Sequence, residues 1–270
     1  MKPRLFAHIA SLEARARFSY RVDFWINALF GFGVEMFLAW SLWKAIFEAS
    51  GSAKIGGRDF DGMLFYYLTV VLVGRFTRGH NNEGMISGDI YEGGLNRYLV
   101  FPLDYRWVKY AQVIGALAPV FVQVLLFAVI AIPLFGFHQL AGTSLVSVVM
   151  AVPAVAIASL LFYLTMFPLQ AFAFWADNVW SLMVMHRFVS QVLGGFMLPL
   201  SVFPGWSRGI LDVLPFRFYY DFPARVLIGE IGFADWGMGM AMALTWCGVM
   251  WCVGTVVWRR GLTQYAGVGI

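Results

Sequence analysis

Hydrophobic residues fall into six long runs along the chain, and polar segments separate them. A helix needs about 20 apolar residues to cross the hydrocarbon core of a bilayer, so runs of this size predict transmembrane spans. Pro153 and Pro168 interrupt the fourth run and favour a kink or a stop, because proline removes a helix donor. The predicted spans cover residues 24–47, 63–76, 110–135, 143–175, 184–203 and 236–258. The pattern predicts an all-α integral membrane protein with six transmembrane helices.

The segments outside the spans have amphipathic patterns of their own. Leu5, Ile9 and Leu12 recur at helical spacing within residues 1–22, which predicts an interfacial helix or, alternatively, a solvated helical tail. Residues 204–235 contain short apolar runs separated by prolines, and this pattern predicts extracytoplasmic re-entrant helices before the last span. We expect the whole chain, residues 1–270, to form a single transmembrane domain.

Composition supports the membrane class and excludes an ordinary soluble core. Hydrophobic residues make up 60% of the chain, charged residues make up 13%, and the mean hydropathy is +0.73. The net charge of +4 does not indicate nucleic-acid binding, because the basic residues flank the hydrophobic runs as topology signals. Cys247 and Cys252 point to different faces of the last predicted span, so we expect neither a disulfide nor a metal site.

The distribution of lysine and arginine predicts the orientation. With a cytoplasmic N-terminus, twelve basic residues fall on the cytoplasmic side and six on the other side. The first 22 residues contain four arginines and no uninterrupted apolar run, so we expect a retained anchor rather than a cleaved signal peptide. The sequence thus predicts a multi-pass protein of the cell membrane, in bacteria the inner membrane, with both termini cytoplasmic.

No catalytic pattern is visible in the chain. The four histidines lie in different segments, and neither a metalloprotease motif nor a GxxxxGK[ST] phosphate loop is present. Because ATP binding of the usual kind needs that phosphate loop, we expect that the chain by itself does not bind ATP in this way. We expect no enzymatic activity and no cofactor bound by this chain.

Two residues within the predicted spans are candidates for a translocation path. Glu35 lies near the middle of the first span, where a charge costs about 2.5–3.5 kcal/mol on insertion scales. It is either a substrate or proton contact, or a packing partner for a polar group such as Gln123 or Arg187. Met197, in the fifth span, is the second candidate, with ordinary apolar packing as the alternative. We expect Arg187, beside His186, to extend to the inner interface.

The polar loop at residues 81–109 differs from the other connections. Apolar residues within it make a small face, acidic residues supply charge, and glycines allow sharp bends. A short helix of this kind can dock into a groove on a soluble partner. The alternative is a helix that lies on the membrane surface without any partner.

Three stretches of the chain resemble the permease subunits of type-2 ABC transporters, an exporter class. They are YRVDFW at residues 20–25, GDIYEGGLNRYLVFPLDY at 88–105, and GGFMLPLSVFPGW at 194–206 followed by LPFRFYYDFPARVLIGE at 214–230. The likeness extends over nearly the whole chain in layout, since such permeases have an amphipathic N-terminal helix, six spans and re-entrant helices before the last span. It implies that the loop at residues 81–109 contains a cytoplasmic coupling helix between spans two and three.

The resemblance also implies partners. Such permeases pair with a second copy or a related permease and bind cytoplasmic ATP-binding subunits, which would hold the ATP and Mg²⁺. The residues expected to dock on that subunit are Glu83, Ile86, Asp89, Ile90, Glu92, Leu95 and Asn96. Two other functions remain open: a secondary transporter driven by an ion gradient through Glu35, and a membrane scaffold or assembly factor without transport.

Overall fold

The computed structural model describes residues 3–18, 22–78, 84–135 and 143–265. Within these ranges the chain forms helices and turns, and the only β-type pairing is an isolated bridge between Ile55 and Arg58. The α-helices are α1 (Pro3–Phe18), α2 (Val22–Ser50), α3 (Phe60–Arg78), α4 (Met85–Tyr91), α5 (Asn96–Leu99), α6 (Tyr105–Phe135), α7 (Leu145–Ala171), α8 (Trp180–Leu193), α9 (Gly205–Val213), α10 (Asp221–Leu227) and α11 (Phe233–Leu262). The predicted all-α class is confirmed.

Four helices in the described ranges are long and apolar enough to cross a membrane. They cover Trp25–Ser50, Tyr105–Ala131, Leu145–Phe174 and Phe233–Leu262, which correspond to the first, third, fourth and sixth predicted spans. The predicted second span falls on α3, which has 19 residues and carries three charged side chains. The predicted fifth span falls on α8, which has only 14 residues. A multi-pass membrane protein follows from the four long helices.

The fifth span differs most from its prediction. Instead of one helix over residues 184–203, α8 ends at Leu193 and the chain turns through Gly194 and Gly195. Gly195 has a φ of +85°, in the left-handed region that side chains disfavour. At Gly194 a Cβ atom would lie 2.7 Å from the carbonyl oxygen of Phe216, so the turn packs against neighbouring backbone. The residues after 194 are apolar because they form this packed turn, and they do not continue the helix.

Replacing Gly194 with alanine is expected to destabilise the fold by about 1–3 kcal/mol, because the added methyl group meets backbone that cannot rotate away. The matched control is Gly209→Ala in α9, where the new methyl group meets open space and the helix gains up to about 1 kcal/mol. Thermal unfolding in detergent, followed by size-exclusion chromatography, measures the melting temperatures of both variants. Equal melting temperatures for the two variants would contradict the tight turn.

The fourth predicted span, residues 143–175, corresponds to one continuous helix, and neither proline stops it. α7 runs through both Pro153 and Pro168 and ends at Ala171, where a short 3₁₀ turn, Phe172–Phe174, continues it. Transmembrane helices tolerate proline where neighbouring groups satisfy the freed backbone. The two prolines therefore do not divide this helix.

Helix directions follow from paired contacts. α2 and α3 are antiparallel, since Phe47 packs 5.8 Å from Phe60 at one end and Glu35 bonds to Arg75 toward the other. α7 and α11 are parallel, because the Trp236 indole donates to the Met150 carbonyl at their starts. Phe167 of α7 then packs 5.2 Å from Trp258 near their ends. Residues 172–232 must consequently return from the end of α7 to the start of α11.

The two ends of this bundle differ in character. We call the end that carries α4 and α5 the loop end; there Tyr105 packs against Trp258 of α11. The opposite end, which we call the pocket end, carries residues 51–59 and α9, beside Asp235 and Met238 of α11. Between them lies a core of large buried side chains from α3, α7 and the segment before α11, including Tyr66, Phe162, Phe167, Tyr219 and Phe222.

The first helix packs along α6. Phe6 lies 6.2 Å from the Tyr110 ring, and a Cβ atom on Gly115 would lie 2.3 Å from the Ala10 carbonyl oxygen. No side chain of α1 is fully buried, as expected for a helix that covers a neighbour on one side only. Its predicted location at a membrane surface stays a prediction.

Candidate functional site

The loop between α3 and α6 folds back onto the ends of the long helices. Gly84, with a φ of +85°, precedes α4, and Gly93, with a φ of +70°, follows it, so both turns use conformations that glycine adopts readily. Ile86 and Ile90 on α4 are buried. The Ile86 amide donates to the side-chain oxygen of Gln170 at 2.9 Å, near the end of α7. The loop is therefore attached to the helix bundle rather than free in solvent.

An ionic cluster centred on Asp89 holds the loop from within. The carboxylate lies 2.6 Å from the Lys109 ammonium group and accepts a 2.7 Å hydrogen bond from the Tyr105 hydroxyl. Both Asp89 and Lys109 are buried. The ammonium group also lies 4.3 Å from the centre of the Tyr98 ring, a cation–π contact. A buried pair of this kind is stable only with such additional partners, because both charges have lost their water.

Arg97 forms the exposed edge of the same cluster. Its guanidinium lies 3.3 Å from Asp89, and two-thirds of its side chain faces solvent. The neighbouring Tyr98 and the hydrogen bond to Asp89 raise the pKa of the Arg97 guanidinium, which stays charged at every physiological pH. Solvent screening limits such an exposed pair to about 0–1 kcal/mol. Asp89 and Lys109 are thus the structural pair, and Arg97 is peripheral.

Aromatic rings connect this cluster to the last helix. Tyr105, which bonds to Asp89, stacks on Trp258 of α11 with ring centres 4.7 Å apart and planes within 9°. Trp258 in turn packs against Phe174, and a Cβ atom on Gly261 would overlap that Phe174 ring. The loop is therefore in contact, through these rings, with α11 and with the turn at the end of α7.

The outer surface of the loop exposes apolar side chains. Val100 is 82% exposed, and Phe101 and Pro102 beside it are exposed as well. We call residues 100–102 the tip. Contiguous exposed apolar residues outside a lipid-facing helix are typical of a surface that another molecule covers. Tyr91 on α4 is also partly exposed, and its hydroxyl donates to the Ala176 carbonyl at 2.9 Å.

The predicted docking residues lie in different environments in the structure. The side chains of Ile86, Asp89, Ile90 and Leu95 are buried against this chain's own helices, where they hold the loop in place, and their docking role stays a prediction. Glu92 and Asn96 are exposed, whereas Glu83 lies outside the described residues. Sequence reasoning missed the tip; the available signal was a pair of apolar residues directly before Pro102 and outside every predicted span.

The two predicted path residues do not come together. Glu35 forms an ion pair with Arg75 at 3.2 Å, so the predicted partners Gln123 and Arg187 are replaced by a residue of α3. The Met197 carbonyl accepts a hydrogen bond from Tyr67, about two helical turns away from Arg75 along α3. Arg187 and His186 lie within α8, where the His186 ring packs near Phe162, Phe216 and Tyr219.

Metal chemistry has no support in the part of the chain that the structure describes. No group of three or more histidine, cysteine, aspartate or glutamate side chains there is arranged to hold a metal ion. The loop end consists of a buried ion pair, stacked aromatic rings and an exposed tip.

Comparison with protein-family models identifies the family of the chain. The family model described as ABC-2 family transporter protein matches residues 34–269, from within α2 to beyond the end of α11. The chain belongs to the ABC-2 transporter family. The resemblance inferred from the three sequence stretches is thereby confirmed. Comparisons with curated proteins and with solved structures gave no match.

Membership of the ABC-2 family defines the general role of the chain. Together with the four long apolar helices it identifies a membrane transport permease. The family as a whole associates with ATP-binding subunits.

Proposed function

We propose that the chain is the membrane-spanning subunit of an ATP-driven exporter, which forms the translocation path with a second permease copy or a related permease. The observation that carries this proposal is the loop end, where a loop fixed by the buried Asp89–Lys109 pair exposes Val100 and Phe101. A rigid base and an exposed apolar surface are what a docking element needs, because they lower the entropy lost on binding.

Coupling would run through the rings behind the loop. When the ATP-binding subunits close on ATP and Mg²⁺, the tip moves with them, and the Asp89–Tyr105–Trp258 contacts carry the motion to α11. The parallel helices α7 and α11 then shift relative to the α2–α3 pair. ATP hydrolysis belongs to the partner in this scheme, and this chain contributes no catalytic group.

The proposed topology has six crossings. In addition to the four long helices, α3 returns antiparallel to α2, and residues 172–232 return from the end of α7 to the start of α11. The loop end carries Arg97, Arg106, Lys109, Arg259 and Arg260, which belong to the twelve basic residues that the sequence count assigns to the cytoplasmic side against six on the other side. Both termini would then be cytoplasmic, in the bacterial inner membrane.

The alternative of a secondary transporter loses support from the position of Glu35. Its carboxylate already forms an ion pair with the Arg75 guanidinium at 3.2 Å, so it is not an isolated acidic group in the membrane that waits for a transported cation. Scaffold function would not require an apolar tip on a rigid loop. An ATP-driven exporter is compatible with both the Glu35–Arg75 ion pair and the exposed apolar tip.

Purification of the tagged permease together with its associated proteins tests this function. We expect an ATPase that contains the phosphate loop missing here, identified by mass spectrometry and present in stoichiometric amounts. In lipid nanodiscs, ATP hydrolysis by the complex should require Mg²⁺ and should continue when a protonophore abolishes the ion gradient. Purification of the permease without any ATPase, under conditions that keep it folded, would refute the proposal.

A further inference from the structure

Two adjacent cavities lie at the pocket end, far from the loop. The first has a volume of about 620 Å³ and is lined mostly by charged and polar side chains, among them Arg58, Arg208 and Asp221. The second has about 410 Å³ and a more apolar lining that includes Phe218, Phe222, Met238 and Met242. Asp212, Arg225 and Glu230 line both cavities. Volumes of this size are typical of small-molecule sites.

Ion pairs inside the molecule engage three of the four carboxylates that line these cavities. Glu230 accepts hydrogen bonds from Arg58 at 2.7 Å and from Arg225 at 2.9 Å. Asp221 is buried, accepts a 2.9 Å bond from the Tyr66 hydroxyl and lies 3.8 Å from Arg225. These contacts satisfy both acidic groups, so neither requires a cationic ligand.

The third carboxylate, Asp212, pairs with Arg217. Four arginines and four carboxylates line the two cavities, since Asp235 also lines the second cavity. Three of the four arginines form an ion pair with one of these carboxylates, and Arg208 is the fourth arginine. Within the described residues, Arg208 has a single polar contact, from its Nη2 to the Ser201 carbonyl oxygen at 3.3 Å. Most of its guanidinium donors therefore remain for an anion, which planar guanidinium binds in bidentate geometry.

The surroundings of Arg208 are apolar. On α9, Trp206, Ile210 and Val213 form an exposed stripe at helical spacing, while Leu211 on the other side is buried. A helix with one exposed apolar stripe and one charged edge is typical of a membrane interface. A ligand that reaches Arg208 at this interface would have the apolar second cavity directly beside it.

We infer that the two cavities together bind an amphiphile with an anionic headgroup. The oxyanion of a phosphate-type head is held by Arg208 in the first cavity, and the apolar chain occupies the second cavity along Phe222, Met238 and Met242. Asp212, Arg225 and Glu230 separate the two compartments. Binding at this site needs neither ATP nor a partner subunit, so it can be tested independently of the proposed function.

Binding of a fluorescent short-chain phosphatidic acid to the purified permease in detergent tests this inference. We expect Arg208→Gln to weaken binding about tenfold, the usual effect of losing one charge-assisted contact. Arg208→Lys should recover part of the affinity, because the positive charge remains. The matched control is Lys54→Gln, which removes an exposed positive charge at the same end of the molecule without touching either cavity. Its affinity should equal that of the native protein.

Two further comparisons establish the chemical class. The corresponding diacylglycerol, which lacks the phosphate, should bind at least tenfold more weakly, and inorganic phosphate at the same concentration should not displace the bound lipid. Met238→Ser should weaken a long-chain phosphatidic acid more than a short-chain one. Unchanged affinity of Arg208→Gln, equal binding of diacylglycerol, or displacement by inorganic phosphate alone would each overturn the amphiphile site.

Discussion

Replacement of both Val100 and Phe101 by aspartate is expected to abolish stable binding of the ATP-binding subunit. Both side chains are exposed in the isolated permease, so the change leaves the fold of the chain largely unaffected. A buried apolar anchor at an interface contributes about 2 kcal/mol or more, and two lost anchors correspond to a decrease in affinity of roughly a thousandfold. Titration of the ATP-binding subunit onto the detergent-solubilised permease measures this affinity.

A matched control separates the tip from a general effect of surface charge. Phe233, at the start of α11, is also highly exposed but lies at the pocket end, so Phe233→Asp should bind the ATP-binding subunit normally. If the tip variant retained native affinity while its melting temperature stayed the same, the tip would not be the docking surface. The alternative of a loop that lies on the membrane surface without a partner would then be favoured.

Asp89→Asn is expected to detach the loop from the helix bundle. The change leaves the buried Lys109 ammonium group without its counter-ion, and removing one partner of a buried pair costs about 3–5 kcal/mol. We expect a clear decrease in melting temperature, together with faster proteolysis within residues 84–104. Thermal unfolding in detergent and limited proteolysis measure the two effects.

The same cluster provides the controls for this prediction. Arg97→Gln removes only the exposed partner of Asp89 and should cost at most about 1 kcal/mol. Combining Asp89→Asn with Lys109→Met removes both buried charges and should recover most of the lost stability, because no unpaired charge remains. A melting temperature of Asp89→Asn equal to that of Arg97→Gln would show that the buried pair does not hold the loop.

The tip prediction and the Asp89 prediction test two different roles of the loop, docking of the ATP-binding subunit and attachment to the helix bundle. The sequence pattern assigned both roles to one surface. Ile86, Ile90 and Leu95 resemble a docking face because they are apolar residues in a polar loop. The structure turns them inward onto the ends of the long helices, and Val100 and Phe101 face outward instead. An apolar residue in a short helix packs equally well on its own chain or on a partner, so periodicity alone does not distinguish them.

The long helices were predictable because each extends over about 20 or more apolar residues, a length that water-exposed helices do not need. Their bounds shifted by a few residues, as at α6, which begins at Tyr105 rather than at residue 110. The fifth predicted span failed for a local reason. Glycine and apolar residues after Leu193 form a turn that packs against backbone near Phe216, and a composition average does not detect such a contact.

The ion pairs also show which features the sequence could not predict. At the pocket end, the Arg58–Glu230 pair joins residues from opposite halves of the chain. Likewise, Glu35 pairs with Arg75, although the predicted partners lay on other helices. Sequence separation carries no information about which charges meet, because helix packing decides the distance.

The amino-acid sequence by itself determined the membrane class, the all-α fold and the family, since these depend on long apolar runs and on short motifs in a fixed order. Only the tertiary structure decided which side chains of the loop are exposed and which hold it in place. It also decided that charged residues at the pocket end surround two cavities. The burial of side chains and the pairing of charges arise from contacts between segments that are distant in the sequence, and a local sequence pattern does not specify those contacts.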